Sequence, residues 1–314
     1  MFGQENDVQV LVVGGGIAGL STALMLGRSL IRCCIVDGGS SYLGDDVSVH
    51  NFITNDGLTK SNLLGKGRSD LGKYDTVEYV EDKVVSLEKT ALGYKAACAG
   101  GRIVTTDKIV FATGIAIRPD QLGITGIQDV FGTSLFTCPY CHGFEFRGKN
   151  ITVLSSSEND WHFLSLLAGW SRNINFVTDG TPVPASMLEK FATISDGEIF
   201  ETPVDEIVHT DGMVSEVVLK SGDRLPTDVM FMSELPNSTA NDLIDALGIQ
   251  KVMHPQLKKP VYETDPVGRT RMRDIFIIGD AKTGFSTLVG AAHEGTLAGV
   301  MMVNDFVEQR MMCA

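Results

Sequence analysis

Two cysteines separated by two residues stand in the middle of the chain, in the run Thr137-Cys138-Pro139-Tyr140-Cys141-His142-Gly143. This spacing allows a disulfide to close across the first turn of a helix, where the positive end of the helix dipole stabilises a thiolate. Such a pair exchanges two electrons readily. An imidazole next to the pair, near half-protonated close to neutral pH, can take a proton from an incoming thiol and return it. We therefore predict that Cys138, Cys141 and His142 are catalytic.

A dinucleotide fingerprint opens the chain. The apolar run 8–13 predicts a strand, a glycine-rich turn follows it, and residues 20–30 have the composition of a helix. After the next predicted strand, 33–36, an acidic residue lies 21 positions beyond the second fingerprint glycine, where it can bind the ribose of an adenosine. The helix amino terminus would bind the phosphates. The predicted binding residues are Gly14, Gly16, Ile17, Ala18, Gly19 and Asp37.

Composition limits the classes of function. The chain has 314 residues, enough for about two domains, and 43% of them are hydrophobic. A formal net charge of −13 argues against nucleic acid as a partner, since that binding needs a basic face. The sequence shows neither a signal peptide nor a run that could span a membrane, so we expect a cytoplasmic protein in which the CxxC is catalytic. No second CxxC or histidine pair completes a four-ligand site, so we expect no metal.

Two further segments indicate a flavin. The apolar strand 108–111 leads into Ala112-Thr113-Gly114, and the strand from residue 274 leads into Gly279-Asp280. In these features the sequence resembles the flavoprotein disulfide reductases with two dinucleotide-binding domains. The resemblance implies that the first fingerprint and the 112–114 segment bind FAD and that Asp280 contacts the ribityl chain. It also implies flavin contacts at Thr287 and Leu288, and at His50 and Asn51, which are otherwise ordinary loop residues.

The position of the CxxC distinguishes subfamilies. It follows Gly114 by about 24 residues, which is the layout of the low-molecular-weight thioredoxin reductases. The resemblance implies an α/β fold with two Rossmann-like dinucleotide-binding domains. It also implies that the FAD domain is discontinuous, at 1–116 and 245–314, and that 117–244 form an inserted redox domain with a degenerate NADPH-type fold.

The inserted domain lacks the expected nicotinamide fingerprint. After the predicted strand 151–154, the chain reads Ser155-Ser156-Ser157-Glu158-Asn159-Asp160-Trp161, without glycine. Side chains there would crowd the pyrophosphate, and Glu158 and Asp160 would repel it. The next strand leads to Asp179 with no arginine pair to bind a 2′-phosphate. These features make NADPH binding unfavourable.

Both departures match the thioredoxin reductase-like dithiol oxidases, the gliotoxin oxidase and holomycin-type group. The resemblance implies a homodimeric FAD enzyme that closes a disulfide in a small natural-product dithiol and uses O2 as electron acceptor, giving H2O2. One alternative is a disulfide reductase with NADPH or an unusual donor, and another is a non-catalytic flavin redox sensor. His293 is a weaker candidate for a second base or a helix-surface residue, and we expect Cys313 to be inert.

Overall fold

The computed structural model describes residues 6–39, 41–155, 160–239, 241–255, 258–284 and 286–313. Contacts divide the chain into two units: the first comprises Met1–Tyr42, Asn51–Ala116 and Asn237–Ala314, and the second Leu43–His50 and Ile117–Pro236. The predicted domains, with limits at 116/117 and 244/245, differ from these units at residues 43–50 and 237–244 and stay a prediction.

The elements alternate between strands and helices. In chain order the strands are β1 Val8–Val13, β2 Cys33–Asp37, β3 Ser48–Val49, β4 Leu58–Thr59, β5 Val77–Glu81, β6 Val84–Thr90, β7 Gly93–Cys98, β8 Ile103–Phe111, β9 Ala116–Ile117, β10 Leu135–Phe136, β11 Ile151–Leu154, β12 Ile174–Val177, β13 Ile199–Phe200, β14 Val204–Thr210, β15 Met213–Leu219, β16 Arg224–Pro226, β17 Val229–Phe231, β18 Asn237–Ser238, β19 Lys251–Met253, β20 Pro260–Tyr262 and β21 Ile275–Ile277. The helices are α1 Ile17–Arg28, α2 Lys60–Leu71, α3 Ile127–Val130, α4 Pro139–His142, α5 Asp160–Leu167, α6 Ala185–Ile194, α7 Asp242–Ala246, α8 Asp280–Thr283 and α9 Leu288–Cys313, with a 3-10 turn at Pro119–Leu122.

The first unit is built on a seven-stranded sheet. Its order is β5-β2-β1-β8-β7-β6, and β21 pairs with β8. The pairings among β5, β2, β1, β8 and β21 are parallel, whereas β6 and β7 form an antiparallel extension. The central strands read as continuous apolar runs because both of their faces are buried, as β1 shows with four fully buried residues at its end. The predicted strand 8–13 and the α/β fold class are confirmed.

Helices α1 and α9 pack closely on one face of this sheet. A Cβ added at Gly295 would lie 2.1 Å from the carbonyl oxygen of Ala18, so only glycine permits this approach. The Thr22 hydroxyl donates to the Gly295 carbonyl at 3.0 Å. At the other end of α9, Asp305 accepts from the nearly buried Lys108 and from Arg269. The last helix is thus part of the core formed by the first strands.

The second unit contains a parallel sheet in the order β10-β17-β11-β12-β13 and an antiparallel sheet in the order β14-β15-β16. The parallel sheet buries Val153, Phe176 and Phe231 in a core with α5 and α6. The antiparallel strands bury a separate set around Val217 and Leu225. Within the described ranges, no helix has both the length and the apolar character needed to cross a bilayer.

Candidate functional site: a nucleotide cradle and a redox disulfide

Four parallel strands of the first unit end at the same edge of the sheet. Val13 pairs with both Val36 and Phe111, and Ile277 also pairs with Phe111. Because parallel strands present their carboxyl ends together, the loops that follow them meet at this edge. The structure therefore brings together most of the predicted cofactor residues, namely Gly14, Gly16, Ile17, Ala18, Gly19, Asp37, Ala112, Thr113, Gly114, Gly279 and Asp280.

The glycine-rich turn has a different reason for glycine at each position. Gly14 has a φ of +106°, and a Cβ there would lie 2.4 Å from the Ala112 carbonyl oxygen. A Cβ at Gly19 would lie 2.0 Å from the Gly14 carbonyl oxygen. A Cβ at Gly16, by contrast, would meet no atom within 4 Å. Gly16 is the N-cap of α1, which begins with Ile17 and Ala18. The space in front of this helix terminus therefore fits a dinucleotide pyrophosphate.

Asp37 ends β2 beside this turn. Its carboxylate accepts a hydrogen bond from the Tyr79 hydroxyl at 2.6 Å and from the Gly39 amide at 3.3 Å. Burial, and then the hydrogen bond to Asp37, raise the pKa of Tyr79 to about 12, so the phenol stays a donor. Tyr79 lies on β5 opposite Ile35, a pairing that the spacing of the motif does not indicate. Tyr79 thus fixes the orientation of Asp37.

Asp280 offers a hydrogen-bond acceptor at the same edge. Burial raises the pKa of its carboxyl to about 6, Glu294 adds to the shift, and the Ser286 amide opposes it. Among the described residues, neither Asp280 Oδ1 nor the Thr113 hydroxyl has a hydrogen-bond partner, although both atoms are buried. A buried polar atom without a partner costs free energy, which a hydroxyl-rich ligand would recover. The open turn and these two atoms fit FAD.

The remaining predicted flavin contacts have visible structural roles. Asn51 has a φ of +63°, and its amide donates to Asp56 Oδ1 at 2.7 Å. Thr287 precedes α9, whose first residue is Leu288, and the Thr287 hydroxyl accepts from the Gly290 amide at 2.9 Å. It therefore caps the helix. Contact of these residues with a flavin stays a prediction.

His293 lies one to two turns further along α9. It lines an open apolar cavity of about 290 Å³ together with Phe52, Ile53, Val289, Ala292 and Thr296. This position is compatible with ligand contact, but the structure shows no acidic or cysteine side chain in the lining. A role for His293 as a second base stays a prediction.

The redox pair of the second unit is closed. Cys138 and Cys141 form a disulfide with a Cα–Cα distance of 5.3 Å, as their spacing predicted. Cys138 is the N-cap of the single-turn helix α4, and Pro139 is its first residue. Gly143 follows the helix because a Cβ there would lie 2.9 Å from the Trp170 ring. The pair is thus held at a helix amino terminus, where a thiolate is stabilised on reduction.

His142 occupies a largely apolar environment. Its ring stacks on Phe136 with the centroids 3.9 Å apart, and His50 approaches edge-on at 6.2 Å. Burial and then His50 lower the pKa of His142 to about 4, whereas Glu145 and the Ser48 backbone oppose this shift. Neither ring nitrogen makes a hydrogen bond of ordinary geometry with the described residues. The expectation of a half-protonated imidazole near neutral pH is wrong, because burial keeps this ring neutral.

His50 belongs to the same neighbourhood. Its Nε2 lies 3.6 Å from Glu145 Oε1. The sequence offered His50 as a flavin contact, which stays a prediction, and did not indicate its approach to His142. Glu145 was missed as well, although its place three residues after His142 was a signal that could have found it.

The strand that would carry a nicotinamide fingerprint ends in a polar cluster. Asp160, the first residue of α5, is fully buried and accepts hydrogen bonds from the hydroxyls of Ser155 at 2.7 Å and Ser233 at 2.8 Å. The two hydroxyls are 3.0 Å apart. Residues 156–159, where the sequence predicts crowding and repulsion, lie outside the described residues. A carboxyl group therefore occupies the end of β11, next to the amino terminus of α5.

The other cysteines are separate from this chemistry. Cys33, Cys34 and Cys98 are buried and reduced. Burial raises the pKa of Cys33 and of Cys34 to about 12, so neither forms a thiolate at neutral pH. The side chain of Cys313 lies outside the described residues, and its inertness stays a prediction.

Comparisons with known proteins agree with this geometry. Residues 8–154 match the family described as pyridine nucleotide-disulphide oxidoreductase. The chain is 26% identical to thioredoxin reductase aclD of Aspergillus oryzae, over 94% of this chain and 95% of that protein. Its fold is similar to that of a putative thioredoxin reductase TrxB from Bacillus anthracis, with a TM-score of 0.88, 24% identity and coverage of 96% and 99%. It is also similar to the structure of HlmI, with a TM-score of 0.87, 24% identity and coverage of 99% and 96%. With its nucleotide cradle and redox disulfide, the chain is an FAD-binding oxidoreductase similar to the thioredoxin reductases, and its residues 8–154 match the pyridine nucleotide-disulphide oxidoreductase family.

Proposed function

We propose that the protein is an FAD-dependent dithiol oxidase that closes a disulfide within a small natural-product dithiol, with O2 as electron acceptor and H2O2 as product. The Ser155–Asp160–Ser233 cluster carries the proposal. The oxygens of a phosphate are hydrogen-bond acceptors and need donors. At this position they would meet the carboxyl group of Asp160, and the neighbouring hydroxyls already donate to that carboxyl group. The redox disulfide and His142 belong to the same unit as this unsuitable nucleotide site, which favours entry of electrons from the thiol side.

The chain supplies an electrophile and a base for the sulfur chemistry. Neutral His142 takes the proton of one substrate thiol, and the thiolate attacks Cys138. A sulfur–sulfur bond forms between substrate and Cys138, the Cys138–Cys141 bond breaks, and the electron pair stays on Cys141. The second substrate thiol then loses its proton, and its sulfur attacks the substrate sulfur of the mixed disulfide. Cys138 leaves as a thiolate and takes up that proton. The substrate loses two electrons, and the cysteine pair gains them.

FAD, held at Gly14, Gly16, Asp37 and Asp280, would supply the route by which these two electrons reach O2. Gly16 leaves room for the pyrophosphate, and Tyr79 holds Asp37 in place for a ribose hydroxyl. Asp280 Oδ1 provides the acceptor for a ribityl hydroxyl. The proposal includes a cytoplasmic homodimer, in keeping with the layout of the family.

The test is oxygen consumption by the purified holoenzyme. With dithiothreitol as the small dithiol, we expect O2 uptake and H2O2 formation that depend on Cys138 and Cys141. Cys98→Ser is a suitable control because Cys98 is a buried free thiol that is not part of the disulfide. Oxygen uptake at the rate of free FAD would overturn the proposal.

The second candidate is a disulfide reductase. The relative from Aspergillus oryzae is called a thioredoxin reductase, which favours this candidate. It requires reduction of the flavin by NADPH or another donor and turnover with thioredoxin. Anaerobic addition of NADPH therefore distinguishes the two functions.

A further inference from the structure

The ring of His142 has one ionisable side chain of the second unit, His50, beside it, and a second, Glu145, lies next to His50. His50 approaches the His142 ring edge-on with the ring centroids 6.2 Å apart, and His50 Nε2 lies 3.6 Å from Glu145 Oε1. The side chain of His50 is 18% exposed and that of Glu145 is 39% exposed, so a charge on either side chain acts partly through protein rather than through water. The three residues form a cluster beside the disulfide.

This cluster meets a chemical need of the base. A free thiol has a pKa near 8.5, whereas that of His142 is about 4, so proton transfer from substrate to this ring is uphill by roughly four to five pKa units. Burial is the main cause of the low value. A nearby negative charge is the ordinary way to favour the protonated form of a buried imidazole.

We propose that Glu145 and His50 are positioning residues for His142, with the Glu145 carboxylate favouring the protonated ring and His50 opposing it. This inference rests on the proposed function, in which His142 takes the substrate proton. As the new sulfur–sulfur bond forms at Cys138 and the disulfide breaks, the electron pair goes to Cys141, and the proton on His142 can then pass to that thiolate. Glu145 stabilises the positive charge that His142 carries in between, and both Glu145 and His50 act through His142.

Three other features at His142 add no charged side chain. Phe136 stacks on the ring and carries no charge. Ser48 contributes only its backbone. Cys138 and Cys141 do not titrate while they are joined. Opposite changes in the charge of Glu145 and of His50 should therefore have opposite effects on His142.

The experiment measures the titration of His142 directly. Oxidised holoenzyme labelled at histidine Cε1 is titrated by NMR from about pH 3.5 to 9, a range that includes the ordinary pKa of histidine. The wild type, Glu145→Gln, His50→Gln and the control Glu189→Gln are compared, and His142→Ala assigns the signal. Glu189 is an exposed carboxylate on α6 of the same unit, so its variant makes the same change in charge elsewhere.

We expect Glu145→Gln to lower the midpoint of His142, so that a smaller fraction of the ring is protonated at the acid end of the titration than in the wild type. His50→Gln should raise the midpoint, and the control should not change it. In anaerobic stopped flow with dithiothreitol at pH 7, Glu145→Gln should slow disulfide reduction roughly three- to tenfold, as expected for about one pKa unit in the strength of a base. Midpoints that stay unchanged in both variants, or shift in the same direction, would overturn the positioning role. Opposite shifts without dithiol-dependent O2 uptake would support the positioning role and reject the oxidase.

Discussion

Replacement of Gly16 by valine tests the cofactor site with little disturbance of the protein. Gly16 has a φ of −70° and a ψ of −179°, which valine adopts without strain. No atom lies within 4 Å of a Cβ at this position, and Gly16 makes no side-chain cap. The cost to the apoprotein is therefore limited to the poor N-cap preference of valine, about 1 kcal/mol or less.

The effect on the holoprotein should be much larger. A ligand at 100 times its dissociation constant stabilises a protein by about 2.7 kcal/mol, which corresponds to roughly 5–10 °C in Tm for a unit of this size. We expect added FAD to raise the Tm of the wild type by this amount and to leave that of Gly16→Val unchanged. The variant should also purify without the visible flavin absorbance.

Gly65→Val provides the matched control. Gly65 lies within α2, and a Cβ there also meets nothing within 4 Å. This variant should keep FAD and the stabilisation by FAD. Stoichiometric FAD in purified Gly16→Val would refute the reasoning, because it would show that the cofactor does not approach this turn.

Four other outcomes are expected. Dithiothreitol, but not NADPH, should bleach the flavin anaerobically; rapid bleaching by stoichiometric NADPH would favour the reductase. Cys138→Ser and Cys141→Ser should each keep FAD and lose dithiol oxidation, and a residual rate above that of free FAD would contradict this. His142→Ala should slow oxidation roughly 10²–10⁴-fold at pH 7 and also at pH 5, because a base with a pKa near 4 is neutral at both pH values. Higher pH should partly restore the rate of the variant, since more of the substrate thiol is then ionised. An unchanged rate from about pH 6 to 9, where thiols begin to titrate, would show that the role of His142 is structural. Asp160→Ala should destabilise the second unit by about 1–3 kcal/mol in urea unfolding, because the hydroxyl of Ser155 loses its buried acceptor, and an unchanged midpoint would show that the cluster is not needed.

Local patterns in the sequence predicted much of the nucleotide cradle. Strand β1, the glycine turn and Asp37 follow one another within 30 residues. The residues that determine these features lie within the same segment, so the sequence could predict them. Helix α1 begins at Ile17 rather than near Leu20, because it starts directly after its Gly16 N-cap. The distant strand β21 was also predicted, since its apolar run ends in Gly279-Asp280.

The surroundings of the predicted residues depended on pairings that no local pattern contains. Tyr79 reaches Asp37 because β5 adds to the sheet beside β2. Ser233 reaches Asp160 from a position 73 residues further along the chain. The protonation of His142 was wrongly predicted because the ordinary pKa of a histidine says nothing about burial against Phe136 and His50.

The close packing of α1 against α9 affects the order of events during synthesis. Strands of the first unit emerge from the ribosome early, yet β21 begins 247 residues after the end of α1, and α9 follows β21. Until then, the apolar face that Ala18 and Met25 present to Gly295 and Gly299 has no cover. The contiguous strands of the second unit can pair while the chain is still growing. Co-translational folding should thus begin with the inserted unit, and a nascent chain stalled before β21 should be a preferred substrate for chaperones.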